Sequence, residues 1–325
     1  MNRRRFLRLL PVSVLIASAA RSAYAASEWP VRPIRIVVPF PPGGSVDTLA
    51  RVIGPALSDR FGQAIVIDNR SGAGGAIGTA EAARSPADGY TLLMVYDTHA
   101  VNHHLHRRLP YDTFTAFRPI SLLATSPMVL ITPTRLEVRT VEDLIALARS
   151  RPEGLSVGHA GAGSSNQLLA LQFSSQANIT INQIPYRGAA PMLNDVVGGH
   201  LDFVISALPA VLPQVKAGTV RALAVTTAKA APQLPDVPPL ATAVPGFEGR
   251  SWVGLLVPAA VPDPAAEQLE QAVRTILNDR AIRARLEETG YHVEGSDAGT
   301  FLSFLHAESD RWGAVIKRYG ISSSE

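Results

Sequence analysis

The 325-residue sequence contains no cysteine. This absence excludes a disulfide framework, a cysteine nucleophile and the thiol to which a lipoprotein anchor is attached. Beyond the N-terminal segment, no apolar stretch reaches the roughly eighteen residues that a membrane-spanning helix needs. Both absences favour an exported protein that has no membrane anchor.

The N-terminal segment is the one place where basic and apolar residues are concentrated. Residues 1–25 combine a basic start, an apolar run and a final Ala23-Tyr24-Ala25, which is the pattern of a cleaved secretory signal peptide. The segment Arg3-Arg4-Arg5-Phe6-Leu7 resembles a twin-arginine signal, so both the Sec and the Tat export routes stay open. The alternative is an uncleaved anchor helix, which Pro11 disfavours because it interrupts the apolar run. We expect an exported protein.

Outside this segment the chain has no net positive charge. Residues 1–25 hold five arginines and no acid, so the formal net charge of +3 for the whole chain becomes −2 for the remainder. No basic surface for nucleic acid is therefore expected. The remaining length of about 300 residues exceeds what one hydrophobic core usually serves, which predicts two domains.

Short apolar runs alternate with amphipathic segments along the rest of the chain. Residues 34–38 predict a buried strand, and residues 45–57 predict a helix with Ser45 as its N-cap. A second series of strands and helices starts near residue 128. This alternation is typical of α/β domains with mostly parallel sheets.

The return of the pattern after the second series predicts how the domains are divided. We expect residues 26–125 and 227–325 to form domain 1, and residues 126–226 to form domain 2. Two crossings of the chain between the domains would form a hinge with a ligand cleft.

Glycine turns follow strands in both predicted domains. Gly43 and Gly44 precede the first helix, and Gly163 precedes a helix that opens near Ser164 and Ser165. Glycines allow backbone N–H groups to approach a ligand, and the N-terminus of a helix favours an anion. The alternative is that these glycines only form tight turns. Their occurrence in both domains favours an anion held from two sides, and the loop at residues 96–102 is expected to join the same rim.

Nucleotide and catalytic motifs are absent or out of register. The first turn lacks the Lys-Ser/Thr of a P-loop, and the glycines at residues 72–78 miss the spacing of a dinucleotide-binding turn. No GxSxG motif occurs. His103, His104 and His106 are interpreted as solvated loop or helix-edge residues and His99 as a rim residue, since their spacing matches no zinc motif.

Two further features leave alternatives open. Asp47 lies in the first turn of a predicted helix, where a carboxylate stabilises backbone donors more often than it acts as a general base. Tyr186 and Arg187 follow a strand, so they either direct a hydroxyl and a cation into the cleft or lie on the surface.

A set of motifs, in order along the chain, closely resembles one family. The motifs are Pro39-Phe40-Pro41-Pro42-Gly43-Gly44, Asp68-Asn69-Arg70-x-Gly72-Ala73-Gly74-Gly75, Asp88-Gly89-Tyr90-Thr91-Leu92, Thr98-His99-Ala100-Val101-Asn102, Leu109-Pro110-Tyr111-Asp112 and Pro185-Tyr186-x-Gly188, with further matches in residues 234–259 and 313–321. The sequence resembles a Bug-type protein, the periplasmic substrate-binding component of tripartite tricarboxylate transporters. The resemblance covers essentially all of the chain after the signal segment.

The resemblance implies a periplasmic protein with the two-domain, type II-like α/β fold of periplasmic binding proteins, also called a Venus flytrap. It also implies a small carboxylic acid bound in the cleft, held chiefly by backbone amides and hydroxyls. It also implies membrane permease subunits as partners. Together with the residues that depart from the family pattern, the candidate ligand-binding residues are Phe40, Gly43, Gly44, Ser45, Asp47, Thr98 and His99 from domain 1, and Gly163, Ser164, Ser165, Gln167, Tyr186, Arg187 and Ser206 from domain 2. No cofactor, metal, catalytic residue or nucleic acid is expected, and the chain is expected to be a monomer. The alternatives are a ligand sensor for a signalling system and an exported hydrolase or isomerase that uses Asp47 or His99.

Departures from the family pattern concern the choice of ligand. Gln167 stands where the family often has histidine, and Ser206 stands where many members have aspartate. Arg187 replaces a common lysine and adds bidentate geometry. We expect the missing acid at position 206 to disfavour amino acids, whose ammonium needs a carboxylate partner, and to favour a mono- or dicarboxylate with an apolar body.

Overall fold

The computed structural model describes residues 29–322, so the predicted signal peptide at residues 1–25 and its export route lie outside the described residues. Strands and helices alternate along the described chain. The strands are β1 (Ile34–Val38), β2 (Ile65–Asn69), β3 (Thr91–Tyr96), β4 (Phe117–Pro133), β5 (Leu155–His159), β6 (Ile181–Pro185), β7 (Val204–Ala207), β8 (Val220–Val225), β9 (Arg250–Pro258) and β10 (His292–Val293). The helices are α1 (Ser45–Phe61), α2 (Ala76–Ala83), α3 (Thr98–Leu105), α4 (Val141–Ser150), α5 (Ser165–Ala177), α6 (Ala189–Gly198), α7 (Leu208–Lys216), α8 (Asp263–Asn278), α9 (Arg280–Glu288) and α10 (Ala298–Tyr319).

Strand β1 lies inside the first sheet because both of its faces are apolar. Ile36 and Val37 point to opposite faces, and both side chains are fully buried. Ile36 packs in a cluster with residues of α1 and α8, whereas Val37 packs in a cluster with residues of α2 and α10. Helices therefore cover this sheet on both sides, as expected for buried parallel strands.

The long strand β4 divides the molecule into two lobes. Its first part pairs with β9 and β10, and its second part pairs with β7 and β8. We call β1, β2, β3, β9, β10 and the first part of β4, with α1–α3 and α8–α10, the first lobe. The second part of β4 and β5–β8, with α4–α7, form the second lobe. The chain crosses between the lobes in β4 and again before β9.

The predicted two-domain α/β fold is confirmed, and its sheets are mixed in direction. Pairs β1–β2, β1–β3 and β5–β6 are parallel, whereas every pair formed by β4 or β9 is antiparallel. Strand β4 leads the chain out of the first lobe whereas β9 leads it back in, so these two strands run in opposite directions. The boundaries at residues 26–125, 126–226 and 227–325 stay a prediction.

Two local predictions need correction. Gly44, not Ser45, is the N-cap of α1, and Ser45 is the first residue in helical conformation. The segment at residues 96–102 is the end of β3 followed by α3, not a loop. Within residues 29–322, none of the helices combines the length and apolar composition that crossing a membrane requires.

Candidate functional site

A cavity, here called the inner cavity, lies between the two lobes. Its walls come from strand ends and helix starts of both lobes. The first lobe contributes Phe40, Pro41, Pro42, Gly44, Ser45, Val46, Tyr96 and Thr98, and the second lobe contributes Ala160, Ser164, Asn166, Gly188, Ala189, Ala190, Ser206, Ala207 and Ala210. None of these residues carries a charged side chain.

Five helix N-termini meet at the inner cavity. They belong to α1, α3, α5, α6 and α7, and each contributes residues of its first turn or its N-cap to the wall. No side chain caps the N-terminus of α1, α3, α6 or α7. The first backbone N–H groups of a helix have no partner within the helix, and the helix dipole places partial positive charge beside them. The cavity is therefore suited to an anion although no cationic side chain lines it.

The start of α1 is held in place by Asp47. Its Oδ2 accepts a hydrogen bond from the Gly43 N–H at 2.9 Å and another from Arg51 Nε at 2.8 Å, while its Oδ1 accepts one from Asn69 Nδ2 at 3.0 Å. Gly43 has a φ of +82°, a conformation that glycine adopts without strain. Asp47 is 2% exposed and does not line the inner cavity. It fixes the turn that presents Gly44 and Ser45 to the cavity.

The surroundings of Asp47 give its charge a defined effect on stability. Burial by itself raises the pKa of Asp47, but the hydrogen bonds from Arg51, the Gly43 N–H and Asn69 bring this pKa below its ordinary value. A depressed pKa in the folded state means that the ionised carboxylate stabilises the fold above the unfolded-state pKa near 4. This contribution is lost as the pH falls through the folded-state pKa.

Replacing Asp47 by asparagine is expected to lower the free energy of unfolding at pH 7 by about 1–3 kcal/mol, because three hydrogen-bond donors lose their charged acceptor. The difference from the wild type is expected to shrink as the pH falls below about 4. Urea unfolding at pH 7 and pH 3 measures both effects. Asp59→Asn, on the exposed side of α1, is the matched control and is expected to change little. An Asp47→Asn difference of the same size at both pH values would contradict this account.

Gln167 supports the turn that precedes α5. The Gly163 N–H donates to Gln167 Oε1 at 2.8 Å, and Gln167 Nε2 donates to Gln183 Oε1 at 2.8 Å. Ser164 is the N-cap of α5 and lines the inner cavity. The Ser165 hydroxyl faces the sulfur of Met128 at 3.8 Å. Of these predicted residues, only Ser164 reaches the wall of the cavity, and the other three shape the turn or pack behind it.

His99 lies in the interior of the first lobe and not at the rim. It is 3% exposed and stacks on the ring of Tyr111, with Phe117 against its edge. Burial lowers the pKa of His99 to about 4, so the imidazole is neutral at pH 7. The rim interpretation is wrong because residues 98–105 form a helix, whose period turns His99 inward while Thr98 faces the cavity.

Tyr186 and Arg187 lie at an outer space, here called the mouth, which shares four wall residues with the inner cavity. The mouth is lined by Pro39, Phe40, Pro41, Ser71, Gly72, Ala73, Gly74, Gly75 and His106 from the first lobe, and by Ala160, Gly161, Ala162, Pro185, Tyr186, Arg187 and Gly188 from the second. The Tyr186 hydroxyl donates to Asp195 Oδ2 at 2.5 Å, so it is turned away from a ligand role. Arg187 is exposed. No acidic residue lines the mouth among the described residues.

The structure thus brings six of the predicted residues to the inner cavity: Phe40, Gly44, Ser45, Thr98, Ser164 and Ser206. It also adds residues that were not among the candidate ligand-binding residues predicted from the sequence. Tyr96 and Asn166 line the wall, and so does the start of α6 at Gly188, Ala189 and Ala190. The glycine at position 188, with a φ of +112°, was the available signal for another helix start at the cavity.

Both the sequence and the fold of this protein are similar to those of known proteins. Residues 49–321 match the sequence profile described as "Tripartite tricarboxylate transporter family receptor". The structure of R. palustris Rpa4515 with adipate has a TM-score of 0.88 and 38% identity, covering 90% of this chain and 99% of that chain. The periplasmic binding protein BugD has a TM-score of 0.86 and 28% identity, covering 91% and 100%. MatC (Rpa3494) from Rhodopseudomonas palustris with bound malate has a TM-score of 0.83 and 30% identity, covering 89% and 100%.

Proposed function

Because the chain belongs to the tripartite tricarboxylate transporter receptor family, we propose that it is a periplasmic receptor that binds a small organic carboxylate in the inner cavity. The bound carboxylate is then delivered to the permease subunits of a membrane transporter. One observation carries the proposal: five helix N-termini meet at a cavity whose wall holds no charged side chain. Backbone N–H groups stabilise a carboxylate there without a counter-ion from a side chain.

The walls also bear on the class of ligand. Phe40, Val46 and several alanines provide apolar surface beside the helix starts. Neither an acid nor an amide stands at position 206 or 207, and no acid lines the wall, so a ligand ammonium would find no carboxylate partner in the wall. We therefore propose a mono- or dicarboxylate with an apolar body and disfavour amino acids. Adipate in Rpa4515 and malate in MatC are both dicarboxylates.

The proposed ligand contacts are Phe40, Gly44, Ser45, Thr98, Ser164 and Ser206, with Gly43, Asp47, Gly163, Ser165 and Gln167 holding the turns. We further propose that residues 1–25 are the cleaved export signal and that the receptor acts as a monomer. Domain 1 comprises residues 26–125 and 227–325, and domain 2 comprises residues 126–226. Binding closes the two domains on the ligand.

A panel of organic acids tests the proposed function. The purified protein is heated with each acid and with each of the common amino acids, and calorimetry then measures the affinity of every compound that raises the melting temperature. A receptor is stabilised by mass action without turnover. We expect a mono- or dicarboxylate to bind more tightly than any amino acid. Tighter binding of an amino acid, or a product detected by mass spectrometry, would overturn the proposal.

Arg187 is expected to act on the rate of ligand capture. It is the arginine at the mouth, and no acid among the described residues lines that space. A positive charge at the entrance attracts an anion over roughly 30 Å at about 0.01 M ionic strength and over only about 3 Å at about 1 M. Arg187→Gln is expected to lower the association rate for a dicarboxylate about 3–10-fold at low salt, and the difference should vanish at high salt.

Stopped-flow measurements at two salt concentrations check this prediction. The matched control is Arg274→Gln, which removes the same charge from the exposed side of α8, away from the mouth and the inner cavity. If both variants slow association equally, the effect comes from net charge and not from the position of Arg187.

A further inference from the structure

Asp97 lies between the two lobes, one residue behind the wall of the inner cavity. Its neighbours in sequence, Tyr96 and Thr98, both line the cavity. Ser165 approaches Asp97 from the second lobe, and the residues on either side of it, Ser164 and Asn166, also line the cavity. Asp97 therefore meets the start of α5 directly behind the place where an anion would bind.

The Asp97 carboxyl group is buried without a strong partner. It is 4% exposed, and neither oxygen makes a hydrogen bond of ordinary geometry within the described residues. Although Asp97 occupies the N-cap position of α3, its side chain does not cap that helix. The Ser165 hydroxyl, the Thr98 N–H and the Ser165 N–H come near enough to act on its charge. A buried carboxylate with so little compensation is costly in its ionised form.

The charges around Asp97 do not offset this cost. Strand β3 presents Tyr96, whose own pKa is raised by burial and by the charge of Asp97, and α5 presents only the uncharged Ser165. Helix α10 presents Glu308, which carries an ion pair to Arg311 at 3.8 Å. Burial raises the pKa of Asp97 to about 7 against the lowering effect of the Ser165 hydroxyl, and Glu308 adds to the rise.

A carboxylate ligand would add a second negative charge on the other side of the cavity wall. Two like charges in a poorly solvated region repel each other, and the repulsion disappears when one of them takes up a proton. The helix N-termini stabilise the ligand carboxylate, so Asp97 is the group that is neutralised. We propose that Asp97 is a proton-binding site coupled to the ligand site, so that the receptor takes up a proton at Asp97 when it binds a carboxylate. This inference rests on the carboxylate binding proposed above.

Ligand binding and proton binding at Asp97 affect each other by the same factor, and this fixes the direction in which ligand affinity changes with pH. A bound carboxylate raises the pKa of Asp97 above its value of about 7 in the free protein. Affinity is therefore full where Asp97 is already protonated, below pH 7, and falls as the pH rises through that value. The receptor would bind its ligand most tightly where the medium is mildly acidic.

Calorimetric titration of the full protein with adipate tests the coupling. Between pH 6.5 and 8.5 a simple carboxylic acid with a pKa near 4 to 5 stays largely ionised, so the ligand itself contributes little to the pH dependence. The affinity of the wild type is expected to fall about tenfold over this range. At pH 7.5, titrations in phosphate and in Tris, whose ionisation enthalpies differ, are expected to report uptake of up to one proton.

Two variants assign the proton to Asp97. Asp97→Asn keeps the size of the side chain without titrating, and it is expected to bind adipate with an affinity that does not change with pH. Glu308→Gln keeps Asp97 but removes its negative neighbour, so the pH dependence is expected to persist with its midpoint at lower pH. If Asp97 only supported the structure, removing the charge of Glu308 would not shift this midpoint.

Two results would count against the coupling. Wild-type affinity that varies less than twofold with pH, together with equal heats in the two buffers, overturns it while leaving carboxylate binding intact. An Asp97→Asn variant with the pH dependence of the wild type assigns the proton elsewhere and also overturns it. The buffer comparison uses the wild type, so it tests for proton uptake on ligand binding even if a variant fails to fold. The absence of adipate, malate and panel-acid binding at every pH would instead overturn the proposed function.

Discussion

Replacing Gly44 by valine is expected to abolish carboxylate binding while the chain stays folded. Gly44 is the N-cap of α1 and lines the inner cavity, and its φ of −79° and ψ of 170° are accessible to a β-branched residue. A β-carbon placed there meets only the Pro41 carbonyl oxygen, at an ordinary 3.7 Å. The two methyl groups would instead occupy space in front of the first N–H groups of α1.

The expected loss of affinity follows from the hydrogen bonds involved. Each hydrogen bond to a charged group contributes about 1.5–3 kcal/mol, so blocking two of them weakens binding roughly 100-fold or more. Calorimetry with adipate and thermal unfolding measure binding and folding separately. Gly44→Ala is expected to have a smaller effect, and Gly299→Val, at the exposed first turn of α10, should have none. Retained affinity in Gly44→Val would mean that this glycine only forms a turn.

Replacing Ser206 by aspartate is expected to be comparably damaging to carboxylate binding. Ser206 is 1% exposed and lines the inner cavity at the end of β7. A carboxylate there would face the ligand carboxylate in a poorly solvated space, where like charges about 4 Å apart repel by about 4 kcal/mol. We expect affinity for adipate to fall on the order of 100-fold or more.

The matched control for this variant is Ser206→Asn, which has nearly the same shape as aspartate and no charge. It is expected to bind adipate much better than Ser206→Asp does. Titration of both variants with the organic acids and the amino acids also tests the proposed role of position 206 in excluding an ammonium group. Equal affinity of the two variants for adipate would show that size, not charge, governs this position.

Features set by neighbouring residues could be predicted from the sequence. The apolar run at residues 34–38 forms β1 with those bounds, because both of its faces are covered by helices. The glycine turns before α1 and α5 both reach the inner cavity, since strand-to-helix turns gather at one edge of parallel strands. Local periodicity and glycine placement are enough for such features.

Features that depend on contacts distant in sequence could not be predicted. Residues 96–102 were expected to be a loop because three histidines and an asparagine in residues 98–105 mask the apolar period of α3. The starts of α6 and α7 lack the polar N-cap that marks a helix start, and only the folding of the second lobe brings them to the cavity. The unusual burial of Asp97 likewise depends on the approach of Ser165 from the other lobe. Tertiary packing decides all three.

An anion site built from helix N-termini has a consequence for how such receptors diversify. Every amino acid except proline supplies the same backbone N–H, so the anchoring of the carboxylate is inherited with the fold and survives most mutations in the walls. Side chains such as Phe40, Val46 and Ser206 are then free to vary with the body of the ligand. A few substitutions in the walls can therefore change which organic acid is bound, while the backbone N–H groups that hold the carboxylate stay the same.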